Sequence, residues 1–482
     1  MYYIGIDLGT SSVKGLLTDA EGCILREESE TYDVSYPHDG WSEQDPEDWL
    51  FGTKRVLARL AAGREKEIAG VSFGGQMHGL VLLDDRDRVI RPAILWNDGR
   101  TQRETDLINE SFGRERLSEL TANVAFAGFT APKILWVREH EPEHFARVSK
   151  LMLPKDYLAY MLTGVHSTDY SDASGTLLLD VKIKRWSEEM CRFCGVKPEW
   201  LPRLFESFEV TGRVRAEFGL PNAVVTAGAG DNAAAAVGTG TVGNGDCNVS
   251  LGTSGTVFIA GDTFGVDANN ALHAFAHATG RWHLMGCILS AASCNKWWLE
   301  EILCTEDYEL ARDAEDTLGE NPVYFLPYLM GERSPHNDTN ARGAFLGMRP
   351  DTTREEMSLA VMEGVAFALR DCLDVARKNG LAVGKTSVCG GGARSPLWRR
   401  ILANVLNAEV CVPETEQGPA YGAAILAMVG CGVYATVEDA ARRIVRVKES
   451  VRPDAALVKK YDRAHAVFAS CYPALKDVFR KM

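Results

Sequence analysis

The 482-residue chain has no apolar run of about 18 residues, which excludes a helix spanning a bilayer. Its beginning shows no basic segment, apolar stretch and small-residue cleavage site in series, so a secretory signal is not expected and the cytoplasm is the expected compartment. Positive charge is in deficit: 52 Lys and Arg stand against 66 Asp and Glu, a net −14. Such a surface repels nucleic acid and anionic membranes, so neither is expected as a partner. Twelve cysteines are scattered. Only Cys191-Arg-Phe-Cys194 has metal or redox spacing, and it lacks the second pair a zinc site requires. Many of the cysteines, such as Cys287, Cys372, Cys389 and Cys411, sit in apolar contexts that suit reduced, buried thiols. There is no Gly-Lys-Ser/Thr phosphate loop and no Gly-x-Gly-x-x-Gly.

What is present is a duplicated hairpin. Tyr3-Ile-Gly-Ile-Asp7-Leu-Gly9-Thr10-Ser11-Ser12-Val-Lys-Gly15 is an apolar run, a glycine and hydroxyl turn, and a second run through Leu17. Gly9 admits turn angles closed to other residues, and backbone N–H groups and hydroxyls at such a tip can hold anionic oxygens. Near the middle of the chain Val249-Ser250-Leu-Gly252-Thr253-Ser254-Gly255-Thr-Val-Phe258 repeats Leu-Gly-Thr-Ser in the same setting. One phosphate-type hairpin per half predicts two similar lobes facing one nucleotide, with boundaries at 1–242 and 243–482. The copies differ at one informative place: Asp7 corresponds to Ser250, so only the first lobe offers a carboxylate for Mg²⁺.

Between the hairpins, Ile24 to Tyr36 reads as strand and Glu47 to Ala62 as a helix led by Pro46. Ile68 to Phe73 is a strand ending at Gly74-Gly75-Gln76-Met77-His78-Gly79, where glycines flank side chains that the backbone must bend to aim. Ala93 to Arg100 reads as a strand with a polar end, the place where α/β proteins put ligands. The segment Asp169 to Gly175 reads as a small, polar loop beside a cleft. Val224 to Ala227 is a strand running through glycines into an alanine-rich helix with Asp231 at its start, where the helix dipole favours an ionised carboxylate of ordinary pKa. Thr386 to Ser395 joins a strand to a helix through Gly390-Gly391-Gly392, bare backbone that a nucleotide can approach closely. A second glycine turn at Gly418 opens another alanine-rich helix, and beyond about Lys448 the chain reads as a terminal helix alone.

Taken in order, Ile-Gly-Ile-Asp7-Leu-Gly-Thr, Trp41-Ser-Glu-Gln-Asp-Pro, Gly75-Gln-Met77-His78-Gly79, Arg91-Pro-Ala-Ile-Leu-Trp96-Asn-Asp98-Gly-Arg100, Leu153-Pro-Lys-Asp-Tyr157, Gly230-Asp231-Asn232-Ala, Ser250-Leu-Gly-Thr-Ser-Gly255 and Gly390-Gly-Gly-Ala-Arg394-Ser resemble the FGGY carbohydrate kinases. The resemblance runs from Tyr3 to about Leu426; the segment Glu301 to Gly319 and the tail after Ala427 match only loosely. It implies the α/β, two-lobed ribonuclease-H-like, actin-like ATPase fold with a catalytic cleft between the lobes. It also implies ATP and Mg²⁺, a small-molecule sugar as substrate and a homodimer as a family-based expectation. The Gln76-Met77-His78 loop is similar to that of family members acting on D-xylulose, which implies formation of D-xylulose 5-phosphate. A kinase for another ketose or polyol is the alternative, and a non-catalytic actin-like ATPase a more distant one. Carried over by motif, Asp231 accepts the proton of the substrate hydroxyl and Asp7 acts on the Mg²⁺-bound phosphates through water. Gln76, Met77, His78, Trp96 and Asn232 contact the sugar. Thr10, Ser11, Thr253 and Ser254 hold phosphates, and Gly391, Gly392 and Arg394 line the adenosine site.

Overall fold

The computed structural model describes residues 1–482. Its first sheet is assembled from β1 (Tyr2–Leu8), β2 (Ser12–Thr18) and β3 (Ile24–Thr31), which form an antiparallel meander because tight turns join consecutive strands. Helix α1 (Pro46–Ala61) starts with Asp45 capping the Glu47 N–H and covers β2 and β3 with Trp49, Val56, Leu57 and Leu60. Strand β4 (Ile68–Gly75) then adds parallel to β1. Helices α2 (Gln102–Thr121), α3 (Thr130–His140) and α4 (Pro154–Thr163) intervene before β5 (Val210–Arg213) and β6 (Val224–Thr226) complete the order β5-β6-β4-β1-β2-β3. The two-residue strand Ala229–Gly230 pairs parallel with the end of β4 and leads straight into α5 (Asp231–Gly238).

The second sheet repeats this plan. Strands β7 (Cys247–Leu251) and β8 (Gly255–Gly261) form the second hairpin, followed by β9 (His273–Ala276) and β10 (Trp282–Ile288). After α6 (Arg354–Lys378), β11 (Lys385–Cys389) pairs parallel to β7 just as β4 pairs with β1. Helix α7 (Pro396–Leu406), β12 (Glu409–Pro413), α8 (Gly418–Gly430), β13 (Val447–Val451) and α9 (Ala455–Phe479) finish the chain. The order is β9-β10-β8-β7-β11-β12-β13. The duplicated hairpin is thus the visible part of a duplicated sheet.

The halves meet where α8 crosses α5 and lies against β1 and β4. A Cβ on Gly422 would sit 1.8 Å from the Ala234 carbonyl oxygen, and one on Gly238 would sit 2.0 Å from that of Gly418. Only bare backbone permits this crossing.

Several expectations need correction. The strand from Ile24 ends at Thr31. The strand expected over Ala93–Arg100 is only Ala93–Ile94, because the next residues turn to place Asp98 on the Ser42 N–H at 2.6 Å and on the Arg100 guanidinium. The Asp169–Gly175 segment is a buried pair of short helical turns, since Asp169 caps its own Ser171 and Asp172 N–H groups. Strand β13 precedes the terminal helix. Cys287 and Cys389 are half-buried, while Cys372 and Cys411 are buried. Cys191 and Cys194 lie inward on one short helix, and burial pushes the Cys191 thiol up to about 12 and that of Cys194 higher still. No helix is long and apolar enough to cross a membrane.

Candidate active site

The C-terminal ends of the paired parallel strands define the site. In the first half, β1 ends at Asp7 and Leu8 beside the β4 end at Gly74 and Gly75. Asp7 is half-buried, and its carboxyl is pushed up to about 7, first by burial and then by the charge of Asp231, with Lys14 opposing. Asp231 opens α5, and Gly230, not Asp231, is the capping residue. One Asp231 oxygen accepts from the Asn232 backbone N–H at 2.7 Å and from the Asn232 amide at 3.0 Å. Burial nevertheless outweighs those bonds and raises the Asp231 carboxyl to about 6. The ordinary low value expected at a helix N-terminus is therefore corrected: water is scarce enough here that desolvation wins.

Thr10 and Ser11 stand at the first hairpin tip, where Gly9 N–H closes the turn on the Ser12 carbonyl at 3.0 Å. Ser11 is exposed. The Thr10 hydroxyl is engaged in a chain: the Trp96 indole donates to it at 3.0 Å, it donates to the Gln76 amide oxygen at 3.2 Å, and the Gln76 amide donates to Gln44 at 3.2 Å. Gln44 itself donates to the Thr10 carbonyl at 2.6 Å, closing the loop. Gln76 is thus a buried brace between its own loop and the first hairpin tip, while Trp96, 45% exposed, keeps an open indole face.

Met77 is buried at 5% exposure, wedged against Gly230 and Gly175, where an added Cβ would meet its side chain at 2.9 and 3.1 Å. It shapes the floor under Asp231. His78 has a φ of 69°, the strained geometry its flanking glycines foreshadow. Its Nδ1 lies 2.8 Å from the Gly175 carbonyl, and its ring stacks on Phe129 at 4.7 Å. Burial lowers its pKa to about 3, so the ring is neutral; Nδ1 carries the hydrogen and Nε2 is left as an acceptor. Thr130 and Lys133, at the start of α3, both donate to the His78 carbonyl, at 3.1 and 2.9 Å. Asn232 is turned toward Asp231 and holds its carboxylate.

The second half supplies the other wall. The second hairpin tip, with Thr253 at the surface and Ser254 half-buried, packs beside Gly391 and Gly392. Together with Arg394 they border a cleft of about 910 Å³ whose apolar side is Leu251, Trp297, Met362 and Trp398. Those dimensions and that mixture of flat apolar and polar surface suit a nucleobase and ribose. Arg394 is exposed at the mouth, where it pairs with Glu416 at 2.9 Å.

Several residues at the site are not legible in the motifs. Gln44 lies in a motif but shows its brace role only in three dimensions. His273 and Phe275 on β9 close around His78 and Phe129 from the opposite half, and Arg333 lies over Phe126 at 5.8 Å. Trp297 and Met362 come to the cleft from separate elements. A single His-Ala-Phe or Gly-Glu-Arg in a sequence carries no signal of such placement.

Comparison with known proteins agrees with this arrangement. Residues 2–238 match the model of the N-terminal domain of the FGGY family of carbohydrate kinases, and residues 247–431 that of the C-terminal domain. A curated xylulose kinase of Klebsiella pneumoniae is 41% identical, with 99% of each chain covered. A solved structure of a xyloylose kinase from Brucella ovis superposes with a TM-score of 0.94 at 41% identity, over 99% of this chain and 100% of the other. Glycerol kinase of Plasmodium falciparum, 21% identical, shares the fold with a TM-score of 0.88, covering 97% of each chain. With both domain models matched in order across two sheets of one plan, the chain belongs to the FGGY family of carbohydrate kinases.

Proposed function

We propose that the protein transfers the γ-phosphoryl group of ATP to a primary hydroxyl of D-xylulose, giving ADP and D-xylulose 5-phosphate. ATP use follows from the family; the sugar follows from the full-length likeness to xylulose kinases and the Gln76-Met77-His78 loop. The observation that carries the chemistry is the pairing of Asp7 and Asp231, two half-buried carboxylates of elevated pKa at the mouth of the sheet that bears the first phosphate hairpin.

The sugar hydroxyl oxygen forms a bond to the γ-phosphorus while the bond to the β–γ bridging oxygen breaks, its electrons leaving on ADP. Asp231 takes the hydroxyl proton. At about 6 its pKa leaves it ionised at neutral pH yet makes it a better acceptor than an ordinary carboxylate. Asn232 keeps that carboxylate aimed. The neutral His78 accepts a sugar hydroxyl at Nε2, and Trp96 and Met77 bound the sugar; the tips at Thr10-Ser11 and Thr253-Ser254 hold phosphate oxygens. Gly391, Gly392 and Arg394 flank the adenosine. Asp7 fits a hydrated cation because no hydrogen bond from the chain engages its carboxylate. Mg²⁺ held there through water would neutralise charge on the β- and γ-phosphates. The lobes, taken as 1–242 and 243–482, close to exclude water as a competing acceptor.

The test is ADP release with Mg-ATP and D-xylulose, D-ribulose, L-ribulose, glycerol or no sugar. Stimulation by D-xylulose above the others is expected. Stronger stimulation by a different sugar discards the substrate while keeping the kinase, and Asp231→Ala is expected to lower kcat at least about 100-fold, as loss of a general base does.

A further inference from the structure

The segment that leads into Asp231 is held in part by its backbone, Ala229 and Gly230 pairing with Gly74 and Gly75 at the end of β4. Ala227-Gly228-Ala229-Gly230 carries no polar side chain, and Gly228 takes a φ of 75°. Further anchors come from a buried charge cluster that the transfer step does not use. Lys155, on α4, has no exposed side-chain surface and lies 2.6 Å from Asp156, 2.9 Å from Asp169 and 3.6 Å from Asp172, all equally buried. Asp169 is the hub: one oxygen meets Lys155, and the other accepts from the Ser171 N–H at 2.8 Å, the Ser171 hydroxyl at 2.5 Å and the Ser207 hydroxyl at 2.7 Å.

From that hub three contacts reach the segment before the base. Lys155 Nζ donates to the Ala227 carbonyl at 3.4 Å, the Gly228 N–H donates to the Ser207 carbonyl at 3.0 Å, and the Gly230 N–H donates to the Ser171 hydroxyl at 3.1 Å. The last is adjacent to Asp231 itself. A buried ion cluster is no better than apolar packing at stabilising a fold, so stability alone does not account for it. Precise placement of a base does, because displacement of about 1 Å can cost two orders of magnitude in rate.

We propose that Ser171, held by the Asp169–Lys155 pair, is a positioning residue that fixes Asp231 through the backbone of Gly230. The inference rests on Asp231 being the base, and it extends that reading to residues on α4 and on the short helix at 170–173. The Ser171 hydroxyl spends its hydrogen on Asp169 and is thereby oriented with a lone pair toward Gly230.

The experiment compares Ser171→Ala, Ser207→Ala and Asp231→Ala in steady-state kinetics with Mg-ATP and D-xylulose, alongside thermal unfolding. Both serine variants lose one hydroxyl bond to Asp169, but only Ser171→Ala frees the Gly230 N–H. Ser171→Ala is expected to lower kcat about tenfold with both KM values within about twofold. Ser207→Ala, with a similar shift in unfolding midpoint, is expected to lose about twofold or less. Equal kcat losses in the two serine variants would reduce the cluster to a structural role and overturn the proposal. So would an unchanged kcat in Ser171→Ala while Asp231→Ala is inactive, a result that leaves the base assignment standing. Full activity in Asp231→Ala would remove the base assignment and the positioning proposal with it. If Ser171→Ala does not fold, Ser171→Cys, which keeps a weak acceptor of similar size, is read by the same criteria against Ser207→Ala.

Discussion

The two hairpin tips share a sequence and differ in reach. In the first, Leu8 pairs with Val13 and four residues make the turn; in the second, Leu251 pairs with Gly255 and three suffice. Each tip sits beside the end of a parallel strand, and there the halves diverge in chemistry. Asp7 lies level with Gly74, which opens the Gln76-Met77-His78 loop, whereas Ser250 lies level with Cys389, which precedes the triple glycine. One architectural position thus carries a carboxylate and the Gln76-Met77-His78 loop in one half, and a hydroxyl and a triple glycine in the other. The same backbone plan is used twice, and side chains at two strand ends make the halves differ.

Making the first hairpin like the second is the sharpest way to break this comparison. Asp7→Ser should lower kcat by about 1,000-fold while leaving ATP affinity within about threefold, because it removes charge stabilisation at the transferring phosphoryl group without touching the adenosine cleft. Nucleotide binding by calorimetry beside kinetics measures both, and near-normal turnover would show that the halves are chemically interchangeable at this position. At the junction of the halves, Gly422→Ala should destabilise the protein by about 3 kcal/mol, since its Cβ would overlap the Ala234 carbonyl oxygen at 1.8 Å. Urea unfolding reads this out, and a cost below about 1 kcal/mol would mean that the helix crossing can relax.

The reverse exchange, Ser250→Asp, should raise KM for ATP about tenfold through repulsion of the phosphates, with KM for the sugar unchanged. A gentler test uses pH. Asp231 must be ionised to accept a proton, and its carboxyl titrates at about 6, so kcat should fall tenfold per pH unit below that value and level off above it. Asn232→Ala, which removes an amide bond that favours the charged form, should move this acid limb upward. A pH–rate profile of both proteins checks the direction, and a downward shift would contradict the assigned role of Asn232.

Much of the site was legible because the turns around it are written in local chemistry. Gly9, the Gly74-Gly75 pair and Gly390 mark strand ends where backbone must turn or come close, and Asp231 after small residues marks a helix start. Legibility failed where a segment's environment is set from afar. Asp169 to Gly175 has the small polar composition of a cleft loop, yet Lys155 neutralises it from α4 and buries it. Met77 and Asn232 stand in short motifs, but whether each faces a ligand or braces Asp231 depends on Gly230 and Gly175 packing around Met77 and on the Asn232 amide's bond to Asp231.

By itself the sequence determined the repeated hairpins, the strand-to-helix turns and the family, because these follow from glycine positions, alternation and motif order within short windows. Tertiary structure alone decided the elevated pKa of Asp231, the His273, Phe275 and Arg333 wall opposite His78, and the burial of the Lys155 cluster. Each of these is a property of desolvation and of long-range contact. The wall opposite His78 comes into being only when the two sheets are brought together across the α5–α8 crossing, and the Lys155 cluster only when α4 packs on the 169–172 segment and on Ala227 within the first half.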